Sequence, residues 1–144
     1  MVRKSTARWQ GNGFGGKGLL SMQSGVFRDQ PYSFLTRFES EDGKAGTNPE
    51  ELLGAAHAGC FAMALSFVLS EKGHVPDELR VTASVELGKV EGGFAIKTIG
   101  LDLEGRVPGI DNAAFQAAAE TAKKTCPLST ALAATPITLA AKLL

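Results

Sequence analysis

Two cysteines and a few charged residues set among apolar ones are the groups in this sequence with redox or nucleophilic chemistry to offer. Cys60 lies in an almost unbroken apolar stretch opened by Asn48-Pro49-Glu50-Glu51, and Cys126 directly precedes Pro127, where one helical pattern stops and another starts. A thiol attacks as its thiolate, and a free cysteine with a pKa of about 8.5 is mostly protonated at neutral pH, so a reactive one needs a neighbour that favours the charge. Cys126 has one at hand. With Pro127 in the first turn of the next helix, it falls at or near an N-cap, where backbone N–H groups and the helix dipole favour a thiolate. Cys60 lies about three turns inside its helix, beyond the reach of the dipole, and its apolar neighbours raise its pKa. A reactive Cys60 therefore needs a cation from elsewhere in the fold. Arg37, within Tyr32-Ser33-Phe34-Leu35-Thr36-Arg37-Phe38-Glu39, is the candidate, and Glu50 could hold that guanidinium in a bidentate pair. The plainer readings are two thiols packed as small hydrophobes, Arg37 as an exposed strand residue and Glu50 as a complement to the helix dipole.

The elements that must position these residues follow from periodicity and punctuation. Short strands are expected over residues 6–10, 19–23 and 32–38, the first two separated by a glycine-dominated segment at 11–18. Asn48 as N-cap, Pro49 at the first helical position and Glu51 as capping-box partner start a helix that runs to Glu71, with Lys72-Gly73 supplying a basic last turn and a left-handed C-cap. At 1.5 Å per residue it would be about 35 Å long. Alternating strands follow over 81–87 and 94–104 around the turn Glu91-Gly92-Gly93, then helices over 113–124 and 127–134 and a final strand from Ile137. The layout is α+β, with residues 1–144 as one domain and no internal repeat or linker. The long helix contains Gly54, His57, Gly59 and Ser66 and stands alone between charged, strand-like segments, so the expectation is a core helix rather than a membrane span. One chain of this size can hardly wrap so long a helix, which points to a homodimer.

Composition narrows the function. Fifteen basic residues balance fifteen acidic ones over 144 residues without clustering, which gives no electrostatic footprint for nucleic acid or an anionic membrane. The N-terminal sequence has no apolar signal-like run, so the cytoplasm is the expected compartment, where a cysteine pair is better read as reactive or buried thiols than as a permanent staple. Gly11-Asn12-Gly13-Phe14-Gly15-Gly16 matches a dinucleotide fingerprint, and residues 11–17 match most of a phosphate-binding loop. Both need a following helix, whereas Leu19-Leu20-Ser21-Met22-Gln23 reads as a strand, and Gly18 stands where a magnesium-binding hydroxyl should be. A hairpin loop is the expectation. His57, His74, Cys60 and Cys126 are too few and too scattered for a closed zinc site, so neither metal nor cofactor is expected, and His57 reads as a buried, hydrogen-bonded core residue.

Thr47-Asn48-Pro49-Glu50-Glu51-Leu52, Gly54-Ala55-Ala56-His57-Ala58-Gly59-Cys60-Phe61 and Cys126-Pro127-Leu128-Ser129 together resemble the osmotically inducible protein C (OsmC) and organic hydroperoxide resistance superfamily. Ser24-Gly25-Val26, Pro31-Tyr32, Thr36-Arg37-Phe38-Glu39 and Val107-Pro108-Gly109-Ile110-Asp111 resemble its OsmC branch. Gly59 stands where alanine is common. The resemblance implies antiparallel sheets wrapped around a long central helix in an intertwined homodimer. It also implies a thiol peroxidase of oxidative and osmotic stress defence that acts on organic hydroperoxides, with Cys60 peroxidatic, Cys126 resolving, and Arg37 and Glu50 completing the site. An external thiol, with a lipoylated protein among the candidates, would reduce the resulting disulfide. Phe61 and Phe34 are expected in an apolar wall that suits a bulky substrate. The alternatives are a non-catalytic module holding a hydrophobic ligand, with both cysteines as packing, and a hydrolase pairing Cys60 with His57, for which no third group to orient the histidine is evident.

Overall fold

The computed structural model describes residues 1–144 and divides them into two compact units, Met1–Leu52 and Leu53–Leu144. In the first unit, β1 (Ser5–Gln10), β2 (Lys17–Met22) and β3 (Gln30–Ser33) form an antiparallel meander in the order β1-β2-β3. The glycine-rich segment joins β1 to β2 with Gln10 opposite Lys17, and the Asn12 side chain ties the loop by accepting from the N–H groups of Phe14 and Gly15. It is a hairpin loop between two strands and lacks the helix that phosphate binding requires.

The expected third strand is half helix. β3 ends at Ser33, and α1 (Phe34–Phe38) follows. The Ser33 hydroxyl accepts from the Thr36 N–H at 3.2 Å, while the Thr36 hydroxyl accepts from the Ser33 N–H at 3.0 Å. This reciprocal cap satisfies two donors locally and closes a turn where a short apolar and aromatic run had suggested extension. Arg37 therefore sits in the last turn of a short helix rather than on a strand.

α2 (Pro49–Glu71) starts and stops where its local signals require. Asn48 Oδ1 accepts from the Glu51 N–H at 2.8 Å, but the Glu51 carboxylate takes the Thr47 hydroxyl at 2.9 Å instead of returning to Asn48, so only half of the expected capping box forms. At the other end Gly73 adopts φ +82°, and His74 N–H and Gly73 N–H donate to the carbonyls of Leu69 and Ser70, a Schellman closure.

In the second unit, β4 (Glu78–Val90) pairs antiparallel with β5 (Gly93–Arg106), and β5 pairs with β6 (Ile137–Leu143). That second pairing is parallel, which corrects the expectation of wholly antiparallel sheets. The reason is the connection: residues 107–136 carry α3 (Asn112–Thr125) and α4 (Pro127–Ala131), a crossover long enough to return the chain to the same end of the sheet. Asp111 caps α3 by accepting from the Ala114 N–H at 2.8 Å.

The core of this unit is built from period and face. Phe61, Leu65 and Leu69 recur every four residues on α2, Leu101 and Leu103 share a face of β5, and Phe115, Ala118, Ala119 and Ala122 line α3; all are at most 1% exposed. Each large apolar side chain so buried contributes about 1.5–3 kcal/mol. α2 is apolar and long enough to cross a bilayer, with a mean hydropathy of 1.9 over an 18-residue stretch, yet this face is committed to a sheet and helix core.

Candidate thiol site

Two of the residues singled out in the sequence meet inside the second unit. Cys60, in the middle of α2, and Cys126, between α3 and α4, are both free thiols with their sulfurs 3.2 Å apart. A disulfide would require roughly 1 Å of approach. Cys126 is fully buried and its backbone is held from both sides, with its N–H on the Ala122 carbonyl at 2.8 Å and its carbonyl receiving the Thr130 N–H at 3.0 Å and hydroxyl at 3.2 Å.

The charge preference within this pair favours Cys126. Burial opposes its ionisation most strongly, but the Ser129 N–H, the Cys60 thiol, the Ser129 hydroxyl and the Leu128 N–H together outweigh burial and bring its pKa down. Its side chain makes no capping bond of regular geometry; the N–H groups of Leu128 and Ser129 nevertheless lie close enough to favour a charged sulfur. Cys60 moves the other way: burial is the largest influence and raises its pKa, the Leu128 N–H lowers it, and the Cys126 thiol adds to the rise. Two thiols in contact resist ionising together, and their neighbours favour Cys126 as the first of the pair to carry charge.

His57, one turn before Cys60, is fully buried, and its Nε2 lies 2.8 Å from the Ser129 hydroxyl. Burial lowers its pKa, so the ring is neutral near pH 7. With His57 engaged this way and His74 beyond the far end of α2, roughly 20 Å further along the axis, the two histidines cannot share one metal ion.

A cavity of about 620 Å³ opens on Cys60, walled by Met63, Phe67 and Val68 of α2, Thr121 and Thr125 of α3, and Pro127. Phe61 does not line it; that ring points into the core at 0% exposure, because a residue adjacent to Cys60 on a helix faces about 100° away. Phe34 belongs to an aromatic cluster of the first unit, with ring centroids 5.1 Å from Phe14 and 4.7 Å from Phe38. The true wall follows Cys60 at helical spacings of three, seven and eight, a periodicity present in the sequence. Ser129 was missed for lack of any distinguishing local pattern.

Arg37 and Glu50 pair within the first unit. The guanidinium donates from Nη2 to Glu50 Oε1 at 2.6 Å and from Nε to both carboxylate oxygens at 3.2 Å, and it lies 5.0 Å from the centre of the Phe38 ring. The fork is fixed on one edge while Nη1 is uncommitted to the carboxylate.

A two-thiol site buried beside a long core helix in an α+β frame defines a small class of proteins, and the comparisons agree on which. Residues 41–141 match the OsmC-like protein family, to which this chain belongs. Peroxiredoxin OsmC of Escherichia coli (strain K12) is 52% identical over 132 residues, covering 92% of this chain and 90% of that protein. An organic hydroperoxide resistance protein of Xanthomonas axonopodis pv. citri is 39% identical over 90 residues, 62% of this chain and 61% of its own. Among solved structures, the organic hydroperoxide resistance protein OhrB of Bacillus subtilis superposes with a TM-score of 0.72 at 29% identity, covering 100% of this chain and 98% of that one.

Proposed function

We propose that this protein is a cysteine-based peroxidase that reduces organic hydroperoxides to alcohols in oxidative and osmotic stress defence. The observation that carries the reading is the thiol pair itself, two free sulfurs 3.2 Å apart, one opening on a mainly apolar cavity and the other sealed behind it. The names of the E. coli and Xanthomonas relatives point the same way.

In the proposed cycle the Cys60 thiolate attacks the distal oxygen of ROOH. The S–O bond forms, the O–O bond breaks, and the alkoxide leaves to take a proton as ROH. Arg37, held by Glu50, supplies the cation that Cys60 lacks and steadies the charge on the departing oxygen. The Cys126 thiolate then attacks the Cys60 sulfenic acid, forming the disulfide and releasing hydroxide, which is protonated to water. Two equivalents of an external thiol, or one dithiol such as a lipoylated protein, return both cysteines to thiols by exchange. The apolar wall suits a bulky R group and offers little to hydrogen peroxide.

The working unit in this proposal is a cytoplasmic homodimer in which residues 1–144 of each chain act as one domain. Every residue of β1 is exposed in the single chain, and Met63 and Phe67 of α2 are 64% and 66% exposed, apolar surface that a second copy would cover. Sedimentation equilibrium should return twice the chain mass.

Adding an organic hydroperoxide should lower the intact mass by two hydrogens and protect both thiols from alkylation. An unchanged mass with both thiols alkylatable would favour the non-catalytic binding module. Cys60→Ser should abolish turnover, and Cys126→Ser should leave a sulfenic acid on Cys60.

A further inference from the structure

We propose that the buried hydrogen bond between His57 and Ser129 is a clamp that sets the position of Cys126 against Cys60, which makes His57 and Ser129 positioning residues for the disulfide step. The proposal takes its purpose from the peroxidase reading, but the contacts that carry it do not depend on a peroxide.

The same spacing recurs on both sides of the thiol pair. His57 precedes Cys60 by three residues on α2, which places it about 4.5 Å back along the axis and about 60° around it, on one face. Ser129 follows Cys126 by three residues, across the first turn of α4. The sulfurs meet at 3.2 Å and His57 Nε2 meets the Ser129 hydroxyl at 2.8 Å, so two contacts about one turn apart join α2 to the start of α4. A single contact would leave that turn free to pivot about it, and the second removes the pivot.

The sulfur contact cannot hold the geometry by itself, because a thiol is a weak donor and a weak acceptor. The bond from the ring to the hydroxyl is sealed from solvent, with His57 0% and Ser129 5% exposed, and water does not compete for it. His57 Nδ1 has no hydrogen-bond partner, so Ser129 is the ring's one polar anchor and no other bond draws the ring away. The backbone bonds that hold Cys126 run to Ala122 and Thr130, and neither lies on α2. Leu128 packs against the core, but apolar contact is not directional. The directional tie from α2 to the Cys126 turn is therefore the bond between His57 and Ser129.

Sulfurs 3.2 Å apart are within the range of about 3–3.5 Å from which bond formation proceeds without further search. The clamp thus raises the effective concentration of Cys126 at a Cys60 sulfenic acid. The competing fate is a second hydroperoxide: a further S–O bond forms at Cys60, the O–O bond breaks, ROH leaves, and the sulfur becomes a sulfinic acid that thiols do not reduce. A resolving sulfur held in place shortens the time in which that can happen.

The test begins without peroxide. The protein is equilibrated in glutathione redox buffers, where one glutathione disulfide is reduced to two thiols for each protein disulfide formed, and the oxidised fraction is read by alkylation and intact mass. Ser129→Ala should lower the equilibrium constant for the protein disulfide about tenfold, the upper end of what one hydrogen bond contributes, which is about 30 mV for this two-electron couple. The sign is diagnostic. If the hydroxyl acted instead by stabilising a Cys126 thiolate, its loss would destabilise the reduced protein and raise the constant. A constant that is unmoved or raised overturns the clamp. His57→Leu should match Ser129→Ala, and the double variant should lose no more than either single one, whereas additive losses would show that the two residues do not act through one bond. If His57→Leu does not fold, Ser129→Ala decides. With an alkyl hydroperoxide as substrate, Ser129→Ala should reach Cys60 sulfinic acid at a several-fold lower peroxide concentration than wild type, and in a protein that turns over hydroperoxide an unchanged threshold would also overturn the clamp. A glutathione equilibrium that responds as expected in a protein whose Cys60 ignores hydroperoxide would sink the peroxidase reading and leave the clamp standing.

Discussion

Arg37→Gln removes the one cation assigned to Cys60 while keeping a polar side chain of similar reach, and the size of its effect can be worked through. The guanidinium makes three contacts with Glu50, at 2.6, 3.2 and 3.2 Å, so it is held in one orientation. A cation beside a thiolate favours it by about 1–3 pKa units; if Arg37 serves Cys60 as the proposed cycle requires, at two units its loss lowers the Cys60 thiolate fraction at neutral pH about 100-fold. The more basic thiolate that remains is intrinsically more nucleophilic, by about 8-fold for a Brønsted coefficient near 0.45, which leaves a net loss of about 12-fold from activation. Losing the donor at the departing alkoxide adds about 10²–10³. Single-turnover stopped flow with an alkyl hydroperoxide should therefore show a deficit of about 10³–10⁴ at neutral pH. Above the pKa of the uncompensated thiol, the activation part vanishes and the higher nucleophilicity remains, so the deficit should shrink to about 10–100. Arg37→Lys should recover part of the activation but not the fixed geometry, since an ammonium cannot grip both carboxylate oxygens as the fork does. A deficit below about threefold at neutral pH, or one that stays constant as pH rises, would refute the assignment.

Limited treatment of the oxidised protein with a monothiol, followed by acid quench and peptide mapping, should place the mixed disulfide on Cys60, because Cys60 opens on the cavity, Cys126 is fully buried, and Cys126 is the better leaving thiolate; an adduct on Cys126 would contradict that route. His57 should make stability depend on pH: its folded pKa lies below the ordinary value of about 6.5, so the unfolded chain takes the proton first and stability falls as pH drops below that value. Urea unfolding at pH near 7 and near 5 should show the wild type losing stability relative to His57→Gln, and a difference independent of pH would exclude this. Gly105→Ala should cost about 1–3 kcal/mol, since a Cβ there would collide with the buried Phe115 ring; an unchanged denaturation midpoint would mean that the ring and strand are less closely packed.

What could be read from the sequence was what local chemistry determines. The bounds of α2 coincide with expectation because Asn48, Pro49 and Gly73 act within a turn of their own positions. α3 begins behind Asp111 for the same reason. The strand expected at residues 34–38 failed because two local signals competed there. The apolar and aromatic run suggested extension, and the Ser33–Thr36 reciprocal cap, legible as two hydroxyl residues three apart, won. The parallel direction of β6 was not legible at all, since a strand's own alternation is the same in either direction and the crossover alone decides it. The cavity wall was legible but read from the wrong neighbours, by adjacency to Cys60 instead of helical spacing from it.

The ranking of the two thiols joins these threads. Residues 126–129 favour charge on Cys126 by rules that hold within a single turn of chain, and the structure keeps that preference after packing. Cys60 has no such local support, and its burial on α2 works against it. With the sulfurs 3.2 Å apart, the first proton lost belongs to the pair, and which sulfur carries the charge depends on what stands near Cys60. In the proposed cycle a guanidinium at Cys60 draws the charge there for the attack on peroxide. Once Cys60 has become a neutral sulfenic acid, it no longer competes, and the charge is most stable on the thiol that must act next. The local bias toward Cys126, which taken alone would name a different nucleophile for the first step than the proposed cycle does, is what the second step of that cycle requires.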